Sequence, residues 1–365
     1  MILEGTLKIL VCMRQIGGAN VVIPVACYLQ ERGVDVVFYS QGVAYDRFKF
    51  DFPLISAESI SPDKLLGWLD PDVVLSECVA PEENATIPCH VTATAAERDI
   101  PTVIVQDFWA SGLSVVWETL PNKMCVQDIL AKDLVYQAWP QMKVLGNEIV
   151  ITGQPAFDNL KTVDCDEARE TLRKMYELKE DWPIIHYSGG FKGTAESVAC
   201  LVEALNRLKQ PIYLFTRLHP RMTDPNASAE WKAEGYRYQE LNPQLLYGKS
   251  IDSSDKKISD LVNAASNIVV GTYPTMIVQA CYLRKACLSI MNESAQEFFE
   301  MECGNTLKAF PPVTLGCCYG TTDTEGTVES LVKIFNGETL RESQEKHFVT
   351  DGKSTERVAQ LVTDL

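Results

Sequence analysis

Short apolar runs rich in β-branched residues alternate along the chain with longer stretches whose apolar positions recur at helical spacing. In the first half this predicts strands over Leu7–Met13, Val34–Tyr39, Val73–Ser76, Thr102–Gln106, Lys123–Val126 and Glu148–Ile151. Amphipathic stretches such as Val21–Arg32 and Asn84–Arg98 lie between them, ending at Gly33 and just before Ile100-Pro101. Apolar runs this short, separated by helices, describe strands of a parallel sheet buried on both faces. The pattern then restarts with a strand at Pro183–Ser188, a helix at Thr194–Leu208, a strand at Ile212–Leu218 and a helix at Lys257–Ala265. A strand at Ile268–Val270, a helix at Thr275–Leu283 and a strand at Ala286–Ile290 follow. The charged segment Asp164–Glu180 separates the two series, and Gly153-Gln154-Pro155 punctuates the chain just before it. The expectation is an α/β protein of two Rossmann-like domains, each a parallel sheet flanked by helices, with an interdomain cleft. The domains are placed at 1–155 and 156–340. Residues 341–365, polar helices with no strand after them, are expected to pack back on the first domain.

Composition narrows the class. A length of 365 residues exceeds what one core holds, about 250–300 residues. At 46% hydrophobic and 22% charged, the chain is neither disordered nor fibrous. Lys+Arg 33 against Asp+Glu 49 leaves a net charge of −16, which repels nucleic acid and makes any local cluster of Arg and His informative. The twelve cysteines are scattered without a Cys-x-x-Cys pair, and Cys317-Cys318 are adjacent. Most, such as Cys12, Cys27, Cys200 and Cys281, lie inside apolar runs, where cysteine acts as a small hydrophobe. That usage points to a reducing, cytoplasmic location. The amino terminus is a poor signal peptide, and no run approaches the roughly 18 apolar residues of a membrane span. No His/Cys/Asp cluster suggests a bound metal.

Ligands of open parallel sheets bind beyond the carboxyl ends of the strands, where the strand order switches. Four strand-end loops therefore carry the candidate chemistry. Arg14–Asn20 offers Gly17 and Gly18 for close backbone approach, Asn20, and the amides of the helix that follows, although a plain tight turn explains it equally. Ser188, Gly189 and Gly190 open a second glycine-rich loop that ends at Thr194 and lacks the P-loop order; a turn capped by Thr194 is the plain alternative. The third, Thr216-Arg217-Leu218-His219-Pro220-Arg221, gathers two arginines and one of only four histidines. Strand alternation would put Arg217 and His219 on one side, where they suit an anion; a solvated, salt-bridged strand end is the alternative. The fourth, Val270–Thr275, supplies the Thr272 and Thr275 hydroxyls beside free helix amides, or simply caps that helix. For proton transfer the candidates are Glu77, Asp107 and Glu118. Asp164-Cys165-Asp166 has a D-x-D spelling, but aspartates opening a helix complement its dipole. His90 and His186 read as structural.

In this order the loops resemble the GT-B superfamily, that is, two-domain nucleotide-sugar glycosyltransferases and the non-hydrolysing UDP-N-acetylglucosamine 2-epimerases. The likeness rests on Gly17-Gly18 followed by Pro24, Ala26, Leu29 and Gly33, and on Ala95-Ala96 with Ile100-Pro101 and the strand to Gln106-Asp107. It rests also on Ile151-Thr152-Gly153-Gln154-Pro155 and on the run Ile258–Ile290. His219-Pro220 is similar to the His-Pro motif of the CDP-glycerol glycerophosphotransferases and bacterial sialyl- and polysialyltransferases. The resemblance implies a metal-independent glycosyl or polyol-phosphate transferase, with a nucleotide-activated sugar as substrate, no separate cofactor, and a small-molecule or glycan acceptor. Asp107 and His219 would be catalytic, His219 neutralising the departing nucleotide. Ser188, Gly189, Gly190, Arg217, Thr272, Thr275 and Gln279 would hold the nucleotide, while Gly17, Gly18 and Asn20 would line the acceptor side. Gln279 stands where many members place a glutamate, and Ala19 or Asn20 where they place a histidine. A 2-epimerase, or a non-catalytic nucleotide-sugar-binding partner protein, fits the same loops, and a homodimer is compatible with them.

Overall fold

A computed structural model describes residues 6–78, 87–114, 117–143, 146–222, 224 and 226–365. The amino-terminal five residues and the expected start of the Asn84–Arg98 helix lie outside them. The chain divides into two compact units: Met1–Lys161 with Glu302–Leu307 and Thr350–Leu365, and Thr162–Met301 with Lys308–Val349.

The first unit holds a seven-stranded sheet. Its strands are β1 (Lys8–Met13), β2 (Asp35–Ser40), β3 (Leu54–Ser56), β4 (Val73–Glu77), β5 (Thr102–Val105), β6 (Lys123–Val126) and β7 (Glu148–Ile151). They lie in the order β3-β2-β1-β4-β5-β6-β7, all parallel. The second holds a six-stranded sheet of β8 (Ile184–Ser188), β9 (Ile212–Arg217), β10 (Gly248–Asp252), β11 (Ile268–Gly271), β12 (Ala286–Ile290) and β13 (Tyr319–Thr321). Its order is β10-β9-β8-β11-β12-β13, again all parallel. In each sheet the order reverses beside the first strand, between β1 and β4 and between β8 and β11. Those two positions are where a parallel sheet leaves a crevice at its carboxyl edge.

Alternate residues of the central strands feed opposite layers of core. Ile9, Val11 and Met13 pack with the helix Ile16–Gln30, and Leu10 and Cys12 pack with the other layer. The helix Ser354–Thr363 contributes Val358, Ala359 and Val362 to the core around Ile16–Gln30, within the first unit. Three strands were not expected from the sequence: β3, β10 and β13, all at sheet edges. All twelve cysteines are free thiols. Among the described residues, no helix is long and apolar enough to cross a membrane, and no three His, Cys, Asp or Glu side chains gather in a metal-binding arrangement.

Candidate functional site

At the switch point of the first sheet, the helix Ile16–Gln30 starts five residues earlier than the sequence suggested. Gly17, Gly18 and Asn20 are therefore helical rather than part of a loop, with Gly18 buried and Gly17 and Asn20 exposed. The reason is Glu77, the last residue of β4. Its Oε1 accepts the amides of Arg14 at 2.7 Å and Gln15 at 2.9 Å, so a carboxylate already meets the positive end of this helix. A carboxylate and not an incoming ligand thus satisfies those two amides. The glycines make room for it. A β-carbon on Gly18 would lie 1.9 Å from Glu77 Oε2, and one on Gly17 would lie 2.6 Å from Asp107 Oδ2.

Two carboxylates thus converge on one helix turn. Glu77 is 1% exposed, and among the described residues neither its Oε2 nor Asp107 Oδ1 has a hydrogen-bond partner. Burial pushes the Glu77 carboxyl well above the ordinary range. The Gln15 amide pulls it back, and the nearby Asp107 charge adds to the rise. Burial raises Asp107 too, against a hydrogen bond from Ser111. Glu118 does not join them. It lines a cavity of about 580 Å³ with Pro101, Asn122 and Asn147, which precede β5, β6 and β7. That cavity sits at the amino edge of the sheet, the opposite end from Glu77 and Asp107.

In the second sheet, Ser188 faces Gly271 across β8 and β11 and Arg217 across β8 and β9. The glycine-rich loop folds onto its neighbours here. The Gly189 amide donates to the Arg217 carbonyl at 2.8 Å, and a β-carbon on Gly190 would lie 2.6 Å from Thr272 Oγ1. Thr272 is fully buried, and its Oγ1 has no partner among the described residues. Two helices begin at this edge. The helix Thr194–Leu208, capped by Gly193 at φ 74° without a side-chain bond, is met by Glu234, whose Oε1 accepts the Ala195 amide at 3.3 Å. Burial raises the Glu234 carboxyl. The helix Thr275–Tyr282 begins after Pro274 with no side-chain cap, and Thr275 is exposed. Of the two helix starts, the second is the one that remains open to an anion.

Arg217 lies on the face of β9 that also carries Tyr213 and Phe215, against the helix Lys256–Ala265. Half-buried, it keeps an Nε without a partner among the described residues. Burial lowers its pKa, and the charge of Asp260 works the other way. On the same face His186 is buried, with Nδ1 3.4 Å from Asn263 Oδ1. The Asn263 amide in turn donates to Gln279 Oε1 at 3.3 Å, so Gln279 is engaged inside the fold. Burial brings the His186 pKa down to about 4.

Strand alternation does not reach His219, because β9 ends at Arg217. The histidine instead opens the turn Pro220–Met222, and its Nδ1 accepts the Arg221 amide at 3.2 Å. Its ring lies 4.4 Å from that of Trp231 at 30°, and Trp231 stacks on Phe191 at 3.8 Å and 25°. Trp231 and Glu234 escaped the sequence reading because the polar helix Ala229–Leu241 was not recognised. The spacing Trp231, Glu234, Gly235, Tyr238 is a helix face and was the available signal. Asp164 accepts the Asp166 and Glu167 amides at 2.9 and 3.0 Å, so the D-x-D spelling is a helix cap.

No family model matches the chain, and no curated protein matches it by sequence. Solved structures do. The UDP-GlcNAc 2-epimerase of Neisseria meningitidis bound to UDP-GlcNAc superposes with a TM-score of 0.66 at 14% identity, covering 98% of this chain and 100% of that one. MurG of Acinetobacter baumannii gives 0.64 at 12%, covering 99% and 100%. The UDP-GlcNAc 2-epimerase of Methanocaldococcus jannaschii gives 0.69 at 13%, covering 98% and 100%. Over nearly its whole length, the chain has the GT-B fold.

Proposed function

We propose that this protein is an enzyme acting on a nucleotide-activated sugar, most simply a transferase that moves the glycosyl or polyol-phosphate group to an acceptor hydroxyl. The observation that carries the reading is a half-buried arginine, Arg217, whose Nε has no partner among the described residues, at the same sheet edge as a fully buried Thr272 hydroxyl that also has none there. Unmet donors at the carboxyl edge of a parallel sheet suit phosphate oxygens, and each unmade bond costs about 1–3 kcal/mol until a ligand makes it. Ser188, Gly189, Gly190, Arg217, His219, Thr272 and Thr275 would hold the nucleotide. Gln279 would contribute only by releasing Asn263. Cationic and N–H groups then meet the charge on the leaving nucleoside phosphate. In the first unit, Asp107 with Glu77 beside it would take the proton from the acceptor hydroxyl as its oxygen bonds to the transferred group.

The pairing of Glu77 with Asp107 favours a second reading, a 2-epimerase, because such a reaction needs proton transfer to and from carbon and no acceptor. The fold neighbours that are epimerases support it equally. Incubation with UDP-N-acetylglucosamine alone separates the two. An epimerase changes the sugar, and a transferase leaves its configuration intact. In either case Arg217→Ala is expected to weaken nucleotide binding, and unchanged affinity would refute the site.

A further inference from the structure

The donor-site reading above gives His219 a phosphate to meet, and the structure around this ring goes further. We propose that Trp231 is a positioning residue for His219, holding the imidazole plane while the Arg221 amide fixes its tautomer for an encounter with the nucleotide phosphate. A backbone amide can only donate, so its 3.2 Å contact makes His219 Nδ1 the acceptor. In the neutral ring the proton must then sit on Nε2. The Met222 amide closes the same turn onto the His219 carbonyl at 2.9 Å, so the backbone cannot relax away from the ring.

The stack is built into two helices. Trp231 contacts His219 at 4.4 Å and Phe191 at 3.8 Å, and Phe191 meets the edge of Phe298 at 4.9 Å and 81°. Gly235, one turn beyond Trp231 on the same face, explains how the helix comes so close: a β-carbon there would lie 2.6 Å from the Met222 carbonyl oxygen. A mid-helix glycine costs about 1 kcal/mol relative to alanine, so its place here follows from packing and not from helix propensity. Lys192 and Arg221 lie over the Phe191 and Trp231 rings at 5.1 and 5.7 Å, which keeps the surroundings of His219 cationic.

The chain has only four histidines, so selective 15N-histidine labelling resolves the ring signals, with His219→Gln assigning one. In wild type, His219 is expected to show an unprotonated Nδ1 and a protonated Nε2. In Trp231→Leu the two shifts should move toward the averaged values of a free imidazole, while Trp231→Phe keeps the wild-type pattern. By calorimetry with UDP, CDP, GDP, ADP and CMP, Trp231→Leu should weaken the tightest binder about tenfold and Trp231→Phe about twofold or less, with unliganded melting temperatures near wild type. A protonated Nδ1 in wild type, or a Trp231→Leu protein with wild-type ring shifts and affinity, would overturn the proposal. If wild type binds none of the five nucleotides, the donor-site reading fails, and the ring shifts alone decide the role of Trp231.

Discussion

Gly18 and Glu77 are packed so tightly that a methyl group on the glycine would lie 1.9 Å from the carboxyl oxygen Oε2. The carboxyl cannot swing aside without releasing the Arg14 and Gln15 amides that it holds. Gly18→Ala is therefore expected to destabilise the protein by about 1–3 kcal/mol despite the better helix propensity of alanine. Thermal melting checks the cost. Combining it with Glu77→Ala should give less than the sum of the two single effects, since the second change removes the group that the methyl strikes. Strict additivity would show that the two residues do not share this space.

Glu77 also sets a pH dependence. Its folded pKa is raised, so the folded chain keeps a proton that the unfolded chain gives up as pH climbs past the ordinary carboxylate range. Stability from this group is complete at low pH and falls as pH rises toward the raised pKa. Relative to Glu77→Gln, wild type should lose stability over that window, as read by denaturant melts at a series of pH values. A difference that stays flat or grows with pH would contradict the assignment.

His186 works in the opposite direction. Burial lowers its pKa from 6.5 to about 4, so the unfolded chain takes up a proton that the folded one refuses. Stability is full above the unfolded value and declines as pH falls through the window between 6.5 and about 4. The loss should reach up to about 3 kcal/mol, from the pKa difference at about 1.4 kcal/mol per unit. His186→Gln should lack this slope, measured in the same melts.

The parallel sheets were legible because their interior strands are short apolar runs. Lys123–Val126 and Ala286–Ile290 match the observed β6 and β12 end for end. Three of the four edge strands, β3, β10 and β13, were not. Gly248–Asp252 reads Gly-Lys-Ser-Ile-Asp and is largely exposed, since an edge strand needs no second apolar face. Arg217 and Thr272 stood out as chemistry at strand ends. What the sequence could not show is which donors stay unsatisfied, because that depends on Glu234 and Glu77 reaching two helix starts from distant positions. Nor does a charge pattern reveal that the Glu77 pKa is raised; the desolvation and the neighbouring Asp107 that raise it exist only in three dimensions.

Thr272 separates stability from binding. Its buried hydroxyl has no partner among the described residues, so Thr272→Val removes an unsatisfied group of nearly the same volume. The variant is expected to melt at or above the wild-type temperature while binding nucleotide more weakly. A large loss of stability would mean that the hydroxyl is satisfied in the fold and has no ligand to meet.

The most direct test is a calorimetric titration of wild type and Arg217→Ala with UDP, CDP, GDP, ADP and CMP. The account predicts saturable binding of at least one nucleotide by wild type, weakened about tenfold to a hundredfold in Arg217→Ala, as expected for a lost charge-assisted bond to phosphate. It also predicts an unliganded melting temperature no lower than that of wild type, because the Arg217 Nε gives up no bond. Equal affinity in the two proteins, or no binding by wild type of any of the five, would contradict it.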